Sequence, residues 1–261
     1  MSYMNNNIHS TKPPLITTKL SDFKVIFGSD PSYLKMLGSI EELYQYFSSI
    51  EKPEFLTCLD PLYEDNEQIE SIILSYDIRI IPNNLLKELE FYGNGWGNLD
   101  EVKYFLPRLL ECIAIEILNN YKDNINNNYY TGNGLLKYKL DKLENWPQEQ
   151  RNIIFTFFYD MFRFLANHFD QLTNIIDDFY IDIPLQGEEV IKIWDQVDYQ
   201  KKKKQFYDFL TVTFNSQNTR FEKRFLGKVD LTNWIISDKH AAEFDFVDDE
   251  KYWKAMIKRI H

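Results

Sequence analysis

The sequence predicts an all-α protein, either an irregular helical array or a short solenoid-like stack of about ten helices. Apolar residues recur at three- and four-residue steps through most of the chain, which is the spacing of one helix face. Few segments alternate apolar and polar residues as a half-buried strand would. Residues 1–18 lack periodicity and are expected to form an extended arm, followed by a single all-α domain over residues 19–261.

Helix signals follow in order before the central motif. The run Ser39-Ile40-Glu41-Glu42 has the spacing of a capping box, so a helix is predicted to open at Ser39 and to end before Pro53. The isoleucines of the next segment predict a helix from Asp65 to Tyr76, and a shorter one is expected from Asn84 to Phe91.

The central helix is predicted to follow Asn98, a residue type favoured at helix N-caps. Asp100 and Glu101 fall in its first turn, where the exposed amides stabilise carboxylates. Pro107 has no amide hydrogen for the carbonyl of Lys103 and its ring crowds that carbonyl, so we expect a Pro-kinked helix or a restart there. The apolar face of this helix is formed by Leu99, Val102, Leu106, Leu109, Ile113 and Ile117.

Polar residues lie on this helix around Pro107 and allow two interpretations. In the first, Arg108 bonds the main-chain carbonyls freed by Pro107 and a nearby carboxylate, so the motif is architectural. In the second, the polar residues line a pocket, where the fixed fork of arginine donors suits an anionic group. The candidate binding residues of such a pocket are Trp96, Glu101, Tyr104, Arg108 and Glu111.

Two motifs carry a resemblance to a known family. The run W-G-x-x-D-x-x-K-x-F-L-P-R-x-L-E extends from Trp96 to Glu111, and Trp146-Pro147-Gln148-Glu149-Gln150 follows it. Together they resemble a family of uncharacterised bacterial all-helical proteins, over roughly residues 83–165. The resemblance implies a bacterial, cytoplasmic and helical protein, and it brings no established activity, cofactor or catalytic residue.

The second half begins at residues 123–134, an Asn-rich loop that could act as a hinge. A long helix with a wide aromatic stripe is expected to start at Trp146-Pro147. His168 lies near this stripe, and we interpret it as a partly buried, hydrogen-bonded histidine rather than a metal ligand. Further helices are predicted at residues 187–197, 200–215, 219–226, 231–237 and 248–259.

The charge of the chain bears on its partners. The formal net charge is −11, and residues 1–130 carry 10 Lys+Arg against 19 Asp+Glu, a net of −9. Such a field repels phosphate backbones and attracts a basic protein, so no nucleic-acid partner is expected. Two cysteines do not make a disulfide framework, and no apolar run is long enough to span a bilayer. We therefore expect a cytoplasmic protein without a membrane partner.

Known catalytic and metal-binding patterns are missing from the sequence. It contains no GxSxG, HExxH, CxxC or phosphate-loop pattern, and we expect neither a metal nor another cofactor. Lys201-Lys202-Lys203-Lys204 would point all around a helix, which favours a solvated turn over a nucleic-acid strip. Cys112 lies among apolar residues, which favours an inert thiol.

Three functional hypotheses remain open from the sequence. The first is a non-enzymatic immunity-type protein that neutralises a bacterial toxin by direct contact, because acidic charge and abundant aromatic residues suit the binding of a basic toxin domain. The second is an enzyme or small-ligand-binding protein with its pocket at Pro107. The third is a helical scaffold for other partners.

Overall fold

The computed structural model describes residues 17–57, 66–86, 99–123, 143–168, 185–198 and 225–226, and α-helices dominate these residues. The all-α prediction is therefore confirmed for this part of the chain. About ten helices were predicted; six α-helices have both ends within the described residues, and residues 83–86, where the helix from Asn84 to Phe91 was predicted, are also helical. The six α-helices are α1 (Lys24–Phe27), α2 (Pro31–Phe47), α3 (Asn66–Ser75), α4 (Leu99–Asp123), α5 (Gln148–His168) and α6 (Gly187–Asp195).

Helix α2 begins eight residues before its predicted start. Asp30 is its N-cap, and the carboxylate accepts hydrogen bonds from the amides of Ser32 and Tyr33. Pro31 occupies the first helical position, where its missing amide leaves no hydrogen bond unmade. Ser39, predicted as the cap, instead lies inside the helix and donates to the carbonyl of Met36 at 3.0 Å. The capping-box prediction was wrong because a stronger Asp-Pro start precedes it.

Helix α4 is the predicted central helix. It begins at Leu99, as expected, and continues as one α-helix through Pro107 to Asp123 without restarting. Its predicted apolar face is buried from Val102 to Ile117, but Leu99, the first residue of the helix, is 43% exposed, so the prediction was wrong at that residue. The predicted cap Asn98 lies outside the described residues. The proline-induced bend stays a prediction.

Helices α2 and α5 form the main helical pair of the core. His168, at the end of α5, contacts Asp30 at the start of α2, with 2.7 Å between Nε2 and Oδ2. Tyr46, near the end of α2, donates to Glu149 in the first turn of α5 at 3.2 Å. The two helices therefore run antiparallel. The predicted aromatic stripe of α5 is confirmed as buried at Ile154, Phe157, Phe158, Met161, Phe162 and Leu165.

The remaining elements are short. Two 3-10 helices, Leu20–Phe23 and Ile78–Ile80, flank the polar side of α4, and a third, Leu143–Asn145, precedes α5. Strands β1 (Leu185–Gln186) and β2 (Phe225–Leu226) form a two-residue parallel pair. The helix predicted over residues 219–226 was therefore wrong at its last two residues. The predictions for residues 200–215, 231–237 and 248–259 lie outside the described residues.

Phe164 provides a test of the helical core. Its ring is fully buried and packs edge-on against Phe27 at a centroid distance of 5.2 Å. We expect Phe164→Ala to lower the free energy of unfolding by about 3–5 kcal/mol, because it removes apolar contacts and leaves a cavity. Thr156→Ala, on the exposed side of the same helix, should change it by less than about 0.5 kcal/mol. Denaturant titration measures both, and equal losses would contradict the packing described.

Candidate functional site

Arg108 is fully buried and contacts three parts of the chain. Its Nε donates to the carbonyl of Ile81 at 3.1 Å, and Nη2 donates to the same carbonyl at 3.0 Å. Nη2 also reaches the carbonyl of Thr18 at 3.0 Å and Oδ1 of Asn83 at 2.6 Å. Nη1 donates to Oε2 of Glu111 at 2.6 Å. The guanidinium thus joins α4 to the segments around residues 18 and 81.

Glu111 is the second centre of this network. Its Oε1 accepts a hydrogen bond from the amide of Leu20 at 2.8 Å, and Oε2 accepts one from the hydroxyl of Tyr44 at 2.7 Å. Burial, followed by the nearby Glu111 carboxylate, raises the pKa of Tyr44 far above its usual value. Tyr44 therefore stays protonated and donates its hydrogen bond to Glu111. Glu111 in this way connects Leu20 and Tyr44 to Arg108 on α4.

This geometry bears on the two interpretations of the central motif. Arg108 does bond main-chain carbonyls and a carboxylate, as the architectural interpretation requires. The carbonyls belong to Thr18 and Ile81, however, and not to the turn preceding Pro107. The charged groups of Arg108 and Glu111 face protein atoms that bind them, which supports the architectural interpretation.

The other residues expected in a pocket lie apart from this pair. Glu101 is buried and accepts hydrogen bonds from the amide and the hydroxyl of Thr57, the latter at 2.8 Å. Tyr104 is half-buried, with its ring edge-on to Phe105, and burial followed by the charge of Asp77 raises its pKa. Trp96 lies outside the described residues. Of the five candidates, Arg108 and Glu111 are joined by a direct hydrogen bond.

A cleft of about 390 Å³ lies where α2 starts and α5 ends. Asp30 and His168 meet in it, and both side chains are partly exposed. Burial would raise the pKa of Asp30, but hydrogen bonds from Ser32, Tyr33 and His168 outweigh it and lower the pKa below the usual value. The predicted role of His168 as a partly buried, hydrogen-bonded residue is confirmed. The cleft is lined by Asp30, Pro31, Ser32, Lys35, Arg163, Asn167, His168 and Gln196.

The carboxylate of Asp30 caps helix α2, and this second role limits the chemistry open to the Asp30–His168 pair. A carboxylate–imidazole pair can assist proton transfer when a nucleophile contacts the imidazole. Here the hydroxyl of Ser32 donates to Oδ1 of Asp30 at 2.5 Å, so it is oriented toward the carboxylate. Asp30 is thereby engaged as a helix cap on one oxygen and as a partner of His168 on the other. The pair fastens α2 to α5.

The exposed surface of the described residues is strongly acidic. Twelve Asp and Glu residues are exposed in this part of the chain, against five exposed Lys and Arg residues. Several of those cations already contact acceptors of the protein: Arg79 pairs with Glu41 at 2.9 Å and Lys192 with Glu189 at 2.5 Å. The described part of the surface therefore presents a negative potential to an approaching molecule.

Comparison of the chain with protein-family models, with curated proteins and with solved structures found no match. None of the helices in the described part of the chain combines the length and the apolar character needed to cross a lipid bilayer. Within the same residues, no group of three or more His, Cys, Asp or Glu side chains is placed to hold a metal ion.

The buried ion pair can be tested against an exposed one. We expect Arg108→Met to lower the free energy of unfolding by about 3–5 kcal/mol, because Glu111 is left as an uncompensated buried charge. The same substitution at Arg79, whose pair with Glu41 is exposed to solvent and whose guanidinium lies over the ring of Tyr44 at 4.1 Å, should cost about 2 kcal/mol or less. Both variants are measured by denaturant titration. Similar losses at the two positions would contradict the central role of Arg108.

The cap of α2 predicts a dependence on pH. Asp30→Ala should lower the free energy of unfolding at neutral pH by about 1 kcal/mol, since the first amides of α2 lose their acceptor. Asp30→Asn keeps a capping acceptor and removes only the charge. Because the folded pKa of Asp30 is lowered from 3.8, the stability due to its charge is present above that pH and is lost as the pH falls through the folded value. The difference in the free energy of unfolding between wild type and Asp30→Asn should therefore disappear in acid. A difference that does not change with pH would contradict the role given to the charge of Asp30.

Proposed function

We propose that this protein binds a basic protein partner without catalysis, and that the partner is a bacterial toxin domain neutralised by direct contact in the cytoplasm. The observation that carries the proposal is the acidic surface, with twelve exposed Asp and Glu residues against five exposed Lys and Arg residues in the described part of the chain. A surface of one sign attracts a partner of the other and repels polyanions such as nucleic acid.

The buried contacts of the fold are a reason to look for the function on the acidic surface. Arg108 and Glu111, the most distinctive polar residues of the sequence, bind each other and neighbouring segments. Their charges cancel inside the protein, so they do not weaken the external negative field. An immunity-type protein needs a stable fold and a complementary surface, and it needs no reacting group.

The proposal makes a kinetic prediction. Wild-type protein is co-expressed with each protein encoded beside its gene, and growth and complex formation are measured for any neighbour that is toxic. We expect growth to be restored and the two proteins to elute as one species on a sizing column. With an inactive toxin, the association rate should fall by about tenfold or more from low to high salt, because screening removes the attraction between the two surfaces.

Two outcomes would oppose the proposal. Absence of both rescue and complex would overturn the toxin-binding function. Restored growth together with an association rate that does not depend on salt would show that the toxin does not bind the acidic surface.

A further inference from the structure

The cleft between the start of α2 and the end of α5 is lined by a lysine that the rest of the protein does not bind. Lys35, on α2, is exposed and lines this cleft. Within the described residues, its ammonium group makes no hydrogen bond or ion pair. Three of the other four exposed cations in this part of the chain are engaged, since Arg79 and Lys192 form ion pairs and Lys52 donates to main-chain carbonyls. Lys35 is therefore available to a molecule that enters the cleft.

Arg163, on α5, is the second cation that lines the cleft. Its side chain is partly buried, and Nη1 donates to Asp160 on the same helix. Its Nε is buried and has no hydrogen-bond partner among the described residues. Buried donors in proteins are nearly always hydrogen-bonded to the protein, to water or to a ligand. An acceptor group from outside the chain would therefore satisfy a donor that the fold itself leaves unmatched.

Two carboxylates lie near these cations, and other groups of the protein already bind both of them. Asp30 is engaged as the cap of α2 and as the partner of His168. Asp160 accepts from Arg163, and burial raises its pKa although the charges of Arg163 and Lys35 act in the opposite direction. Neither carboxylate forms an ion pair with Lys35. The cleft therefore keeps an unpaired positive charge within a described surface that is otherwise acidic.

The third side of the cleft is formed by Gln196, which follows α6. Its main-chain amide donates to the carbonyl of Ile193 at 3.1 Å, so Gln196 is fixed to the end of the helix. Asp195 and Asp198 are near it in sequence but do not line the cleft. The volume of about 390 Å³ lies in the range of small-molecule sites, and every lining residue except Pro31 has a polar side chain. Such a cleft suits a small and strongly polar molecule.

From these observations we propose that the cleft binds a small molecule that carries a carboxylate or phosphate group. Lys35 supplies the positive charge, Arg163 donates through its guanidinium, and the side-chain amide of Gln196 donates from the third side. An ionised acceptor fits these donors, because hydrogen bonds between charged partners are about twice as strong as those between neutral ones. A ligand bound in this way contacts α2, α5 and the end of α6 together. The inference is independent of the proposed function, which concerns the acidic outer surface.

Lys24 provides a matched control for Lys35. It is exposed on α1, it does not line the cleft, and its side chain makes no hydrogen bond or ion pair within the described residues. Lys35→Gln and Lys24→Gln change the net charge equally, but only the first removes a charge from the cleft. Neither substitution should change the thermal unfolding midpoint by more than about 2 °C, which separates a binding effect from a folding effect.

Inorganic phosphate and succinate are the two probes for the cleft. Each is titrated into the full chain at constant ionic strength, which is maintained with sodium chloride, and the amide resonances are followed by NMR. We expect saturable shifts at the residues that line the cleft with at least one probe, and the tighter probe identifies the ligand group as phosphate or carboxylate. Lys35→Gln should raise the Kd of that probe by about tenfold, whereas Lys24→Gln should change it by less than about twofold.

Three outcomes would overturn the inference. The first is the absence of saturable shifts with both probes, and the second is a set of shifts that lies away from the cleft. The third is an equal Kd for Lys35→Gln and Lys24→Gln, which would indicate only a general attraction between anions and a positive charge. Because no toxin is present in this experiment, its failure would leave the toxin-binding function untouched.

Discussion

The buried pair of Arg108 and Glu111 is the interaction on which the described arrangement depends. Through it α4 is fixed to the backbone at Thr18 and Leu20, to Tyr44 of α2 and to the backbone at Ile81. Burying two charges has a large desolvation cost, so such a pair is weak support for net stability. The hydrogen bonds of this pair require particular partner atoms in particular positions, whereas apolar side chains can pack in many arrangements. We therefore assign it the role of selecting this arrangement of helices over other compact ones.

A second polar contact aligns the helices that form most of the core. Asp30 caps α2 and also binds His168 at the end of α5, and Tyr46 contacts Glu149 near the other end of the pair. Between these contacts the buried side chains are almost all apolar, and apolar packing tolerates alternatives of similar volume more readily than a directional hydrogen bond does. The polar contacts at the two ends fix the register.

The sequence predicted what depends on local pattern. Helices α3, α4 and α6 and the buried stripe of α5 follow from three- and four-residue apolar spacing. The partners of Arg108 could not be predicted, because two of them are main-chain carbonyls, which every residue carries. Glu101 precedes Arg108 by seven residues, a spacing that puts the two on one face of a helix but about 10 Å apart along its axis. It binds Thr57 instead, a contact that only the tertiary fold creates.

The interior and the exterior of this protein use charge differently. Inside, Arg108 is matched by Glu111, so each charge is satisfied at short range and contributes little beyond it. Outside, carboxylates outnumber cations in the described residues, and their fields add over distances of about a Debye length. Such a field accelerates encounter with a basic partner, but the lifetime of a complex depends mainly on desolvated contacts. For a protein with this acidic excess, the charge would govern how fast a basic partner arrives, and apolar contacts would govern how long the complex lasts.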